Sequence, residues 1–303
     1  MSEREEILDL IKSHFPEFDT NPYNINFDVK HKLIKIEERE LGQGLSKTLF
    51  SNFIKDRYFL KLSTKFLYHY LPAKYVKNIL IEKKIRLYNL AKYVKNKNDS
   101  KEYSYFVDRI GLIIPNADKY LSSVIEDIFI LSCTSEKDSI SHLGNYGKLE
   151  AACLGFSIKI KKSNYDVDVR NVVYESELTE LFCLQQCIKE KFDYSLDISE
   201  SYLFSKYVKR SYYEWEKEIR ICFDNNSHQT GKKLKSFLTN GNITSSKNDK
   251  YFEIMVDENQ DKYIEVPMNN YFFNLTIKSV QMNSNNFSSE IQKECKEKGI
   301  NFI

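Results

Sequence analysis

Several short stretches of this chain carry apolar residues at every second position or in an unbroken run, and that pattern constrains its fold most. IFILSCT (128–134) is apolar almost throughout and predicts a buried strand. AACLGFSIKI (151–160), KFLYHYL (65–71), KIRLYNL (84–90) and NLTIKSVQM (274–282) read as further strands, and INFI as a last one. KYFEIMVD (250–257) and KYIEVPM (262–268) read as a hairpin across ENQD. In YYEWEKEIRICF (212–223), Ile219, Ile221 and Phe223 alternate with Glu216, Glu218 and Arg220, so one strand face is apolar and the other charged. That charged face is either solvated or lines a site.

Helical spacing is found at residues 1–14, which end near Pro16, at 72–83, where Pro72 suits a first turn, at 175–192 and in SSEIQKECKEKG (288–299). Residues 17–57 read as irregular, apart from a strand-like HKLIKIEE (31–38). Asn98 or Ser100 is a candidate cap for a helix after the polar stretch 92–103. SEKDSISHLGNYG (135–147) reads as a loop or short helix. Strands outnumber helices without strictly alternating with them, so the expected class is α+β. The N-terminal residues read as an extension or small subdomain, and the pattern becomes more regular from about Tyr58.

Composition excludes several classes. With 303 residues, 42% of them hydrophobic, and with 21 Tyr and 20 Phe, the chain has material for a sizeable core. A net charge of +2 selects neither for nor against nucleic acid, and Lys-rich patches at 82–86, 159–162 and 231–235 read as solvated faces. MSEREEILDLIKSHF has no apolar signal-like core, and no run reaches the ~20 apolar residues of a membrane helix, so a cytoplasmic protein with no membrane partner is expected. The six cysteines make no CxxC and read as small buried side chains; Cys183 and Cys187 lack a second pair. His14, His31, His142 and His228 lack ligand spacing, so no metal is expected.

One constellation suggests chemistry. His69 lies on an early strand, Glu218 on a late one, and a Tyr between them. This is the layout that grips NAD and breaks its nicotinamide–ribose bond. Cleavage passes through an oxocarbenium-like ribosyl cation. A carboxylate stabilises that charge, a neutral His orients a ribose hydroxyl, and a Tyr stacks on the nicotinamide ring. Each residue also has a plainer reading: core packing for His69, Tyr88 and Tyr146, a cap for Asn98 and Asp99, and a cross-strand ion-paired surface for Glu216, Glu218 and Arg220.

LYHY (67–70), RLYN (86–89), NDSKEY (98–103), LSCTSEKDSISHLGNYG (131–147) with LGF (154–156), and WEKEIR (215–220) occur in an order that resembles a bacterial family, the domain of unknown function 2971. That family carries LYFS…NDPFE, LSL…WSHY…G and YEKEWR. The likeness covers residues 66–303 and implies a domain there, with residues 1–65, which find no counterpart, as an N-terminal helical or irregular extension. Ser100 stands where the family has Pro, Leu143 where it has Trp and Asn145 where it has His, which leaves Tyr146 from the middle block. The family in turn is similar to the ADP-ribosyltransferase superfamily. The resemblance implies a split, mixed or antiparallel sheet with flanking helices, and NAD as substrate. It implies that Glu218 is catalytic and that His69, Tyr88, Tyr146, Glu216 and Arg220 contact NAD. It further implies transfer to RNA, DNA or protein, in a toxin or antiphage setting with an antitoxin or defence-system partner. An NAD glycohydrolase and a non-catalytic nucleotide- or nucleic-acid-binding module remain the alternatives.

Overall fold

The computed structural model describes residues 2–19, 23–30, 32–38, 49–62, 64–90, 126–137, 150–161, 167–198, 205–225, 251–283 and 288–303. The cap at Asn98 or Ser100, Asp99, the loop from 138 to 147 with Tyr146, and the 231–235 patch lie outside them. Two units form: Met1–Leu60 with Lys97–Ser122 and Val172–Tyr213, and Lys61–Asn96 with Ser123–Asn171 and Glu214–Ile303.

In the first unit, α1 (Glu3–His14) starts on a capping box in which the Ser2 hydroxyl accepts from Glu5 N–H and the Glu5 carboxylate accepts from Ser2 N–H. It packs on α4 (Thr179–Phe192), burying Ile7 and Ile11 on one helix and Leu181, Leu184 and Ile188 on the other. Lys191 and Glu6 join the pair at 2.7 Å. Strands β1 (Tyr23–Asp28) and β2 (Leu33–Glu38) are antiparallel, and β2 runs parallel to β9 (Ser195–Leu196). The buried Gln185 amide closes β9 by bonding both backbone groups of Leu196 at 3.1 and 3.0 Å. The short β8 (Val173–Tyr174) and β10 (Val208–Lys209) pair in parallel. Two expectations are corrected. The described part of 17–57 is not irregular throughout, since it contains β1 and most of α2 (Leu49–Tyr58), whose Phe50, Phe53 and Ile54 follow helical spacing. Residues 172–213 group with the N-terminal residues rather than with 66–303, because α4 buries its apolar stripe there.

The second unit is α+β, around a mixed sheet of 10 strands among the described residues. Its centre is β5 (Ile128–Thr134). One edge of β5 pairs along its whole length with β11 (Glu218–Asp224), which pairs in turn with β7 (Val167–Asn171). The other edge is shared. At one end β4 (Lys84–Asn89) pairs through Tyr88 and Asn89 with Ile130 and Phe129; at the other, β3 (Phe66–Pro72) pairs through Tyr68 with Thr134. The sheet therefore forks at β5. One wing continues from β4 to β13 (Lys262–Pro267) and β12 (Met255–Val256), the other from β3 to β6 (Ala151–Ile160), β14 (Phe273–Met282) and β15 (Asn301–Phe302).

Both wings and the centre contribute to one core. Leu67 and Leu71 of β3, Leu87 of β4, Leu131 of β5, Leu154 of β6, Ile221 of β11, Val266 of β13 and Val280 of β14 all belong to it. It is closed by Val76 and Leu80 of α3 (Val76–Glu82) and by Ile291 and Cys295 of α5 (Ser288–Glu297). Alternation explains the arrangement: residues two apart on a strand share a face, so every second side chain enters the core. The expected hairpin is present, with the shorter first strand β12, and the expected strands at 128–134 and 151–160 match their predicted bounds.

A candidate ligand cavity in the fork

Where β3 and β4 diverge, a cavity of about 350 Å3 opens between them. That volume is at the low end of small-molecule sites. β3 contributes His69 and Tyr70, and the helical connection after it contributes Tyr75, Asn78 and Glu82. β4 contributes Lys84, Arg86 and Tyr88, β13 contributes Glu265, and the β12–β13 turn contributes Asp257 and Asn259.

His69 stands in the crotch of the fork. Its Nδ1 lies 2.8 Å from the carbonyl oxygen of Ser132, on the β5 edge that neither wing occupies. A carbonyl only accepts, so Nδ1 carries the proton and Nε2 presents a lone pair. Burial holds the His69 pKa below its ordinary value, although the Ser132 carbonyl works the other way. His69 is thus a neutral hydrogen-bond acceptor at the cavity wall.

The β4–β13 wing forms an ordered polar wall. Tyr88 pairs with Tyr263 and Arg86 with Glu265 across the strands. The Arg86 guanidinium lies 4.5 Å from the Tyr263 ring centre and 5.7 Å from that of Tyr75, and its Nε donates to Glu265 Oε1 at 3.2 Å. Lys84 Nζ is 3.8 Å from the other oxygen of Glu265. Burial opposes the charge on Arg86, but Tyr263, Glu265 and Tyr88 outweigh it and raise its pKa. Burial, joined by the Asp257 charge, raises the Tyr88 pKa, with Arg86 opposing. Arg86, Glu265, Tyr75 and Asp257 were not anticipated from sequence. The available signal was alternation: Arg86 is two before Tyr88, and Tyr263 and Glu265 alternate with Ile264 and Val266.

The charged strand has a different fate. β11 does begin at Glu218, and all seven of its residues are buried. Ile219, Ile221 and Phe223 enter the core as expected. On the opposite face Arg220 clamps Glu218 with two hydrogen bonds, Nε to Oε1 at 2.8 Å and a terminal nitrogen to Oε2 at 3.2 Å. Directly across the ladder, Arg220 faces Arg170, which is ion-paired to Asp168 two residues away on its own strand. The face is therefore a buried ladder of locally paired charges and not a solvated one. Glu216 is buried too, but it does not continue the strand as alternation implied. It closes a 3-10 turn (Ser211–Glu216), and Lys217, with φ of 42°, takes the left-handed conformation between it and Glu218.

Register then decides which candidates meet. Tyr68 pairs with Thr134 and Thr134 with Glu218, so these three share a face. His69 follows Tyr68 and turns to the other face, beside Leu154 and between Leu67 and Leu71, all in the core. His69 and Glu218 therefore leave the sheet on opposite faces; Tyr88, paired with Ile130, is on the Glu218 face and shares a cavity with His69 only because the sheet is open between β3 and β4. In the sheet β5 lies between the LYHY and EKEIR strands. His69 and Tyr88 are brought together by the fork; Glu216, Glu218 and Arg220 are not among the residues lining its cavity.

Among the described residues no group of His, Cys, Asp and Glu is arranged to hold a metal. Cys133, Cys153, Cys222 and Cys295 are buried as expected, whereas Cys183 and Cys187 are exposed on α4. Burial, with Glu218 and Cys153 nearby, pushes the Cys133 thiol far up, so it stays protonated. No described helix is long and apolar enough to cross a membrane. Comparison with protein-family models, curated proteins and solved structures found no match.

Proposed function

We propose that this chain is a nucleotide-binding module of ADP-ribosyltransferase-like architecture, and that it binds NAD in the fork cavity. The observation that carries this reading is the pairing of a neutral His69, its tautomer held by Ser132, with Tyr88 in one cavity between diverging strands. A lone pair on Nε2 suits a ribose hydroxyl, and tyrosine rings suit a flat heterocycle. The sequence resemblance points to NAD as the first ligand to try. Titration calorimetry tests it. The wild type is expected to bind NAD, and His69→Ala to bind about tenfold more weakly, the worth of one buried hydrogen bond. Because the His69 pKa is depressed, the lone pair is fully present above the ordinary imidazole value near 6.5. Affinity is expected to hold steady there and to fall as pH drops through the lowered pKa. Wild-type protein that shows no heat with NAD would end this reading.

A second reading is the NAD-dependent ADP-ribosyltransferase, or the glycohydrolase, with NAD as substrate. What favours it is the buried charge ladder around Glu218, since buried ionisable groups concentrate at functional sites. RNA, DNA or protein would be the acceptor, in a toxin or antiphage setting. Release of nicotinamide from NAD by the wild type, with or without a labelled acceptor, would bring it forward.

A further inference from the structure

The cavity wall carries an imbalance of charge. Among the described residues three carboxylates line it, Glu82, Asp257 and Glu265, against two cations, Lys84 and Arg86, while His69 is neutral. Glu265 is already held by both cations, at 3.2 Å from Arg86 and 3.8 Å from Lys84. Glu82 is exposed, and its long side chain is poorly fixed to read a ligand. Asp257 differs from both. It is partly buried, and its Oδ1 accepts the backbone N–H groups of Asn259 at 2.9 Å and Asp261 at 3.0 Å. The turn it caps is tight: Asp257 N–H donates to Asp261 O, and Gln260 takes a φ of 63°. Among the described residues no hydrogen bond engages its Oδ2. Asp257 lines the same cavity as the Tyr75 and Tyr88 rings, and its charge helps raise the Tyr88 pKa, after burial.

The structure assigns Asp257 as the residue that selects the cavity's ligand by charge: with Tyr88 and Tyr75 it favours a flat organic cation over its neutral counterpart. A ring face and a fixed carboxylate both attract a planar cation, and partial exclusion of water strengthens each. In NAD that cation is the nicotinamide ring, so the inference rests on the NAD reading for the identity of the whole ligand but not for the charge preference.

The test separates the two. Ligand pairs that differ in the ring's charge, NAD against NADH and 1-methylnicotinamide against nicotinamide, are titrated into the full chain. Two variants accompany them. Asp257→Asn keeps an oxygen that accepts the same two backbone N–H groups and removes only the charge. Glu290→Gln makes the equivalent change on an exposed carboxylate of α5 that is paired with Lys77 and does not line the cavity. The wild type is expected to favour each cation by about tenfold, a preference that shrinks with added salt. Asp257→Asn is expected to abolish the preference with its melting temperature unchanged, and Glu290→Gln to retain it. Binding of NAD and NADH with equal affinity, or a preference that survives in Asp257→Asn, overturns the assignment and leaves the NAD reading standing. Binding of 1-methylnicotinamide over nicotinamide without binding of NAD keeps the assignment and overturns the NAD reading. No binding of any of the four overturns both.

Discussion

Glu218 and Arg220 show how far a residue's meaning depends on its surroundings. On a surface, a carboxylate and a guanidinium two apart on a strand are worth little. Here both are about 95% buried, at 5% exposure each, and the bidentate clamp is what makes the burial tolerable. Removing one partner leaves the other charge in the interior. Glu218→Gln is therefore expected to lower the unfolding free energy by about 3–5 kcal/mol, seen as a shifted midpoint in urea. Replacing both residues with apolar ones of similar size should recover most of that loss. A shift within a few tenths of a kcal/mol for the single variant would show that the pair is open to water. Any loss of activity in Glu218→Gln needs this stability measurement beside it. His69 has the opposite character: it is stabilised by being neutral, and its tautomer is set by one carbonyl.

Among the elements, the strands at 128–134 and 151–160 were legible because their apolar runs are long and carry their own boundaries. The hairpin at 250–268 was legible from its alternation and its polar turn. What local pattern could not reveal was which face each strand turns to a neighbour two strands away. Glu216, Glu218 and Arg220 look equivalent by spacing, yet one left-handed residue, Lys217, takes Glu216 off the ladder. The fork was likewise invisible in sequence, because it depends on where β3 and β4 meet β5. Gly155 illustrates a constraint that only the assembled sheet creates. It sits on β6 opposite Tyr68 on one side and Ser279 on the other, beside the irregularity in β14 between Ile277 and Ser279. A Cβ there would lie 2.3 Å from Ser279 Oγ and 3.3 Å from the Tyr68 ring. Gly155→Ala is expected to destabilise the protein by about 1–3 kcal/mol, the usual cost of overpacking. Pairing it with Ser279→Gly should restore much of the loss, and thermal melts of the three variants measure both effects.

For the whole molecule, the two units are each assembled from separated stretches of chain. The first unit takes Val172–Tyr213 from the middle of the chain and packs it with Met1–Leu60. A cut at 65/66, the boundary that the family resemblance implies, therefore leaves α4 without α1 and β9 without β2. Loss of that cover exposes Leu181, Leu184, Ile188 and Leu196 together. The piece 66–303 is expected to bind an apolar fluorescent dye strongly and to aggregate, whereas the full chain does neither. A soluble, dye-negative piece would mean that 172–213 packs adequately without the N-terminal residues.

The fork at β5 carries a consequence for how a ligand acts on folding. Both cavity walls, β3 and β4, precede β5 by roughly forty to sixty residues in the chain, and each meets it only at one end. No half-assembled sheet contains the cavity, since neither wing alone presents both His69 and Tyr88 around Ser132. A molecule that binds there recognises only the finished unit. Its binding energy is then credited wholly to the native state, growing with the logarithm of its concentration above Kd. The supply of ligand in the surroundings would thus set how much of this protein survives in folded form.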